Sequence, residues 1–175
     1  MALPTSQAIT RALIDLPALQ HNLRRVREAA PGKRIMAIIK ADAYGHGLVR
    51  IARALASGVD SLGVARLGEA VRLRDAGIGQ SITLLEGFLE TAELAVIVQH
   101  RLDVVVHRLE QIAILEQTSL KQLLSVWLKV DTGMHRLGIA LSDAKSAWQR
   151  LQSCSEIKTL GVMTHLANAD DRGDS

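Results

Sequence analysis

Aromatic residues are nearly absent: one Phe, one Tyr and two Trp make up 2% of the 175 residues. Four rings (Phe88, Trp127, Trp148 and Tyr44) cannot build the stacking platform that a single-stranded nucleic acid requires. There is also no charge excess to hold a polyanionic backbone, because 21 Lys and Arg against 18 Asp and Glu leave a dispersed +3. Nucleic acid is therefore not the expected partner. A single cysteine, Cys154, excludes an internal disulfide and points to a reducing, cytoplasmic setting. Apolar runs such as Leu94 to Val98 fall far short of the ~18 residues of a membrane span. The opening residues Met1 to Thr5 lack a basic cluster followed by an apolar stretch, so no secretory leader is expected. Proline stops at Pro31, which suits buried strands and packed helices thereafter. What the chain does have is 48% hydrophobic against 22% charged residues, enough for a folded core and too apolar for a disordered tail.

Short β-rich apolar runs alternate with amphipathic stretches. The runs are Ile35 to Ile39, Ser61 to Ala65, Ser81 to Leu85, Leu102 to Val106, Leu124 to Val130 and Thr159 to Met163. They recur at about the length of one strand–helix unit. Between them the period becomes helical: Leu48, Ile51, Ala52 and Leu55 share a face, as do Leu67, Ala70, Val71 and the stem of Arg74. Ile112, Leu115 and Ser119 continue the habit. A further helix begins at Leu16 with Pro17 in its first turn, preceded by an extended segment from Ala8. The pattern predicts an α/β fold with six parallel strands buried on both faces and five helices between them. A closed (β/α)8 barrel needs eight strands and typically about 250 residues. The six strands are either an open sheet or the first part of a longer barrel. Asp170 to Ser175 reads as a loop after the sixth strand, which favours truncation there.

In such arrays ligand groups gather at the carboxyl ends of the strands. The polar residues at those ends are Lys40, Arg66, Glu86, His107, Lys129, Asp131 and His165, which are expected to face one mouth. Lys40 follows five apolar residues; desolvation there disfavours an ammonium, and a neutral amine forms Schiff bases. Spacing alone also accommodates, and by itself favours, a strand-end lysine that reaches solvent. Tyr44-Gly45-His46-Gly47 enters the next helix, either as a close backbone approach to an anion or as a plain tight turn. Lys129 to Gly138 sets cations and an acid around a glycine turn, where Arg136 is either an oxyanion fork or part of a salt-bridged loop. His165 is a base, an orienting partner or a half-buried histidine. His100 and His107 lack metal spacing, and Gly-rich nucleotide fingerprints are absent.

Taken jointly, three of these segments resemble a known family. Ala37-Ile38-Ile39-Lys40-Ala41-Asp42-Ala43-Tyr44-Gly45-His46-Gly47 resembles the pyridoxal-phosphate lysine signature of alanine racemases. Lys129-Val130-Asp131-Thr132-Gly133-Met134-His135-Arg136-Leu137-Gly138 resembles the same family's second signature, and Thr164 to Asp170 its sixth-strand segment. Ser61 to Arg66 and Leu84 to Phe88 fall between them in the right order. The resemblance implies the N-terminal six strands of a (β/α)8 TIM-type barrel, lacking the last two units and a C-terminal β domain. It implies pyridoxal 5'-phosphate held on Lys40 as an internal aldimine, with Lys40 then removing the Cα proton of D-alanine. Tyr44 would contact the phosphate. Arg136 would lie by the phenolic oxygen and the substrate carboxylate. Lys129 matches a lysine that many members carry as a carbamate orienting Arg136, and His165 would help hold an arginine at the ring nitrogen.

The resemblance also implies a homodimer whose partner donates a tyrosine as the opposite-face base. Tyr44 is the lone tyrosine here and is already matched to phosphate. Alanine racemisation, with little activity from this piece alone, is therefore the expected function, serving cell-wall D-alanine supply or alanine catabolism. The alternatives are a non-catalytic cofactor-binding fragment and a related barrel racemase or decarboxylase acting on another amino acid.

Overall fold

The computed structural model describes residues 12–171 and 173. The extended reading from Ala8 falls partly outside them. Within them, residues 12–15 carry no strand, and helix α1 (Leu16–Ala29) begins at once. Its start is fixed locally: the Asp15 carboxylate accepts the Ala18 amide at 2.9 Å, and Pro17 sits in the first turn. Leu23 of α1 lies directly over Gly58, where a Cβ would come within 2.4 Å of its Cδ2, so a larger residue there would push the Leu23 side chain aside.

Six strands follow: β1 (Met36–Ile38), β2 (Ser61–Val64), β3 (Ser81–Leu84), β4 (Asp103–Val106), β5 (Leu124–Lys129) and β6 (Ile157–Met163). They form one sheet in sequential order, every neighbouring pair parallel. Each expected run is a strand, and β6 starts two residues earlier than its apolar run. Crossovers are made by α3 (Leu48–Leu55), α4 (Leu67–Asp75), α5 (Thr91–Gln99), α6 (Leu109–Gln117) and α7 (Leu141–Gln152). A short extra turn, α2 (Lys40–Tyr44), lies between β1 and α3.

The core is where two-sided burial predicts it. Leu62, Val64, Ile82, Leu84, Val104 and Val106 are fully buried under Leu48, Leu73, Ile97, Ile112 and Leu115. Each such side chain contributes roughly 1.5–3 kcal/mol relative to exposure. The face expected on α4 is rotated: Ala70 and Leu73 are its buried residues. Arg74 does more than cover an edge. Its guanidinium donates to the carbonyls of His100 (2.9 Å), Ile78 (2.7 Å), Gln80 (2.7 Å) and Arg101 (3.2 Å), which ties two loops together at the amino ends of the strands. Ser119 lies beyond the end of α6. The outer strands β1 and β6 are less buried than β2, and Val162 of β6 is largely open.

The register brings the strand ends to one rim. Ile38 pairs with Gly63, Val64 with Leu84, Val106 with Leu128 and Lys129 with Met163. The next residues of each strand therefore stand side by side at the carboxyl end of the sheet.

Candidate active site

Lys40 leaves β1 at this rim and opens α2. The turn is left-handed: Ala41, Asp42, Ala43 and Tyr44 hold φ between 53° and 55°. For residues bearing a Cβ this costs roughly 1–2 kcal/mol each. Bonds from Ala43 N to Ile39 O (2.9 Å) and from Gly47 N to Asp42 O (2.9 Å) close it. Gly45 and Gly47 then carry φ of 83° and 94° into α3. The first amide of α3 is used within the chain. The Leu48 amide donates to Asp42 Oδ1 at 3.0 Å, so the helix is capped from within.

Lys129 ends β5, and residues 131–139 form a closed loop after it. Asp131 N donates to Ile139 O (2.9 Å), and Ile139 N to Lys129 O (2.8 Å). The Asp131 carboxylate accepts from Gly133 N (3.0 Å), His135 N (3.0 Å) and His135 Nδ1 (3.1 Å), which holds it below the usual carboxylate range. Gly138, at φ 145°, sits so close that a Cβ would come within 2.6 Å of Asp131 N. Asp131 is therefore absent from the rim cavity where it was expected, because both of its carboxylate oxygens are bound within its own loop. The loop is joined to the end of β6 by the Thr132 and Thr164 hydroxyls (2.6 Å), and Thr164 also donates to Val130 O (2.9 Å).

The rim encloses a cavity of about 830 Å³. Lys40, Tyr44, Lys129, Arg136 and His165, drawn from three separate segments, all line it, with Arg66, Glu86, His107 and Arg108. Five basic side chains, two lysines and three arginines, thus face one acid. That acid, Glu86, is paired with Arg66 at 3.2 Å. Lys129 feels the crowding: burial, then the Arg136 and Lys40 cations, push its ammonium below the ordinary lysine value. Burial lowers His107 as well, helped by Arg108 and Lys129 and opposed by its bond to the Glu86 carbonyl. A pocket of this size and sign suits an anionic small molecule beside an amine. A second cavity, about 770 Å³, lies at the opposite ends of the strands, but its Arg74 already donates four bonds to backbone carbonyls.

Two side chains supporting the rim escaped the reading of strand ends. Gln111 is fully buried; its Oε1 accepts from His107 N (2.9 Å) and its Nε2 donates to Phe88 O (2.9 Å). Glu69 accepts from Ala65 N (3.0 Å), Arg66 N (3.2 Å) and Asp42 N (3.2 Å). Each stands three residues after the residue that opens its helix, Arg66 and Arg108. That is the spacing of the acidic or amide member of a capping box, but Arg66 and Arg108 stand where Ser or Thr would, so the sequence offered only half of that signal.

A profile described as "Alanine racemase, N-terminal domain" matches residues 14–175. The chain belongs to the alanine racemase N-terminal domain family. The alanine racemase of Pectobacterium atrosepticum is 48% identical over 161 residues, covering 91% of this chain and 44% of its own length. The catabolic alanine racemase of Pseudomonas putida is 50% identical over 161 residues, covering 92% and 45%. Among solved structures, biosynthetic alanine racemase from Pseudomonas aeruginosa superposes with a TM-score of 0.86 at 38% identity, over 91% of this chain and 44% of that one. The chain thus spans less than half the length of the alanine racemases it matches, and its six parallel strands are the N-terminal region of their barrel.

Proposed function

We propose that this chain is the lysine-bearing part of an alanine racemase: the first six β/α units of a barrel that continues with two more units and a C-terminal β domain. The observation that carries the reading is the convergence of Lys40, Lys129 and Arg136, from segments far apart in sequence, on one cation-rich cavity. The family resemblance implies pyridoxal 5'-phosphate, and the donor set fits it: a lysine at a strand end, a phenol and guanidinium groups for an anion, and a surplus of positive charge that a phosphate would neutralise.

When bound, pyridoxal phosphate supplies the electron sink that makes the Cα–H of an amino acid acidic. This chain's residues would do part of the rest. Lys40 would hold the cofactor through its ε-amine, and its Nζ is the base that would take the Cα proton of D-alanine. Tyr44 would hold the phosphate. Arg136 would hold the phenolic oxygen and the substrate carboxylate, and His165 would orient the cationic partner of the ring nitrogen. Lys129 stands among Arg136 and Lys40 as a third cation, and a carbamate on it would turn repulsion into attraction. The base for the other face comes from a second subunit, so the working form is a homodimer, in the cytoplasm. The test is the full-length gene product: with pyridoxal phosphate it converts D-alanine to L-alanine, and the Lys40→Ala variant does not. Absence of racemisation, or preference for another amino acid, overturns the assignment.

A further inference from the structure

The left-handed turn that carries Lys40 has no glycine among its strained positions, Ala41 to Tyr44. Backbone of this kind persists only where surrounding bonds over-determine it. Bonds inside the segment supply part of the restraint. Another part arrives from the neighbouring β/α unit, where the Asp42 amide donates to Glu69 Oε1 at 3.2 Å. Glu69 lies in the first turn of α4, and its Oε2 accepts from Ala65 N and Arg66 N, the residues that follow β2. One carboxylate therefore brackets two adjacent strand ends, one oxygen for each. Arg72 also approaches Asp42 Oδ1, at 3.6 Å, but both groups are largely exposed and such a pair contributes little.

We propose that Glu69 is a positioning residue: by accepting the Asp42 amide, its carboxylate holds the left-handed turn and so sets the direction from which Lys40 enters the cavity. The proposal rests on the role given to Lys40 above. A helix-capping role would need only the bonds to Ala65 and Arg66, and glutamine serves in a capping box as glutamate does. Glu69→Gln separates the two. Its single acceptor oxygen is claimed by the two amides after β2, which leaves the NH2 group facing the Asp42 N–H, donor against donor. The cap survives and the bracket opens.

The experiment uses the full-length protein. The cofactor-free form is titrated with pyridoxal phosphate, the trapped lysine is mapped, and the thermal midpoint, kcat and KM are measured alongside. Glu69→Gln is expected to keep the wild-type midpoint, to capture pyridoxal phosphate at Lys40 about tenfold more weakly, the scale of one hydrogen bond to a charged acceptor, and to lose kcat with KM for alanine unchanged. Glycine adopts positive φ without steric cost, so Ala41→Gly in the Glu69→Gln background restores capture. Wild-type capture by Glu69→Gln overturns the proposal, as does failure of Ala41→Gly to restore it. If the Gln variant also loses thermal stability, recovery of capture by Ala41→Gly without recovery of the midpoint still supports the proposal. Trapping of a different lysine in the wild-type protein is a separate outcome: it overturns the Lys40 reading and the proposal with it.

Discussion

Replacing Gln111 with methionine tests how the rim is built. The side chain is fully buried and bridges the loops after β3 and β4. Methionine fills similar space but leaves the His107 amide and the Phe88 carbonyl without partners. Each unmet buried group costs about 1–3 kcal/mol, while the apolar side chain is easier to desolvate, which offsets part of the loss. The Glu86 carbonyl is spared, because His107 Nε2 still reaches it at 3.1 Å. The expected net loss is about 2–4 kcal/mol. Urea unfolding followed by the fluorescence of Trp127 and Trp148 measures it. Gln111→Glu adds a check of sign. Near neutral pH its carboxylate still accepts from His107 N but sets a second oxygen against Phe88 O, so it is at least as damaging as methionine. At acid pH the carboxyl gains a proton, the donor returns, and part of the loss is recovered. A methionine variant within about 0.5 kcal/mol of wild type, or a Glu variant indifferent to pH, refutes the bridge.

Lys129→Met relieves crowding among cations. The folded-state pKa of Lys129 lies below the ordinary 10.5, so its charge destabilises the fold fully below that depressed value, and the penalty fades as pH rises towards 10.5. Near neutral pH, removal of the charge therefore raises the stability of the cofactor-free protein by about 0.5 kcal/mol, allowing for solvent screening, and weakens binding of inorganic phosphate. A stability loss in urea unfolding contradicts this. Asp131 has the opposite sign. Its depressed carboxyl pKa contributes order to residues 131–139 above the unfolded value, and that contribution disappears as pH falls through the folded one. The loop stays closed at the ordinary aspartate value of 3.8 and opens below it. The amide resonances of Gly133 and His135 report the opening, and an opening well above that pH refutes the assignment. The 175-residue chain alone, lacking an opposite-face base, shows no more than trace racemisation in a coupled alanine assay, and clear turnover contradicts the proposed division of labour.

The strands were legible because parallel strands buried on both faces leave uninterrupted apolar runs, as Val104, Val105 and Val106 do. The start of β6 was less so, since Lys158 is exposed on an outer strand and separates Ile157 from the run. The rim residues Lys40, Lys129 and His165 could be named in advance because strand ends of a parallel array share a face, and Arg136 from the glycine turn that follows β5. Which way a strand-end side chain turns could not. Asp131 looks like a rim acid by position, yet Asp131-Thr132-Gly133 also spells a turn in which the carboxylate binds its own backbone, and that local bond wins. The left-handed turn was hidden for a different reason. Of Ala41 to Tyr44 only Asp42 is of a type that visits positive φ readily, and the conformation is held partly by Glu69, 27 positions away from Asp42.

On the proposed function the Lys40 amine is the covalent anchor for pyridoxal phosphate. Borohydride reduction of the full-length protein in the presence of the cofactor, followed by peptide mapping, addresses it directly. A pyridoxyl group is expected on the peptide containing Lys40; a label on Lys129 or any other lysine instead, or no label at all, contradicts that role.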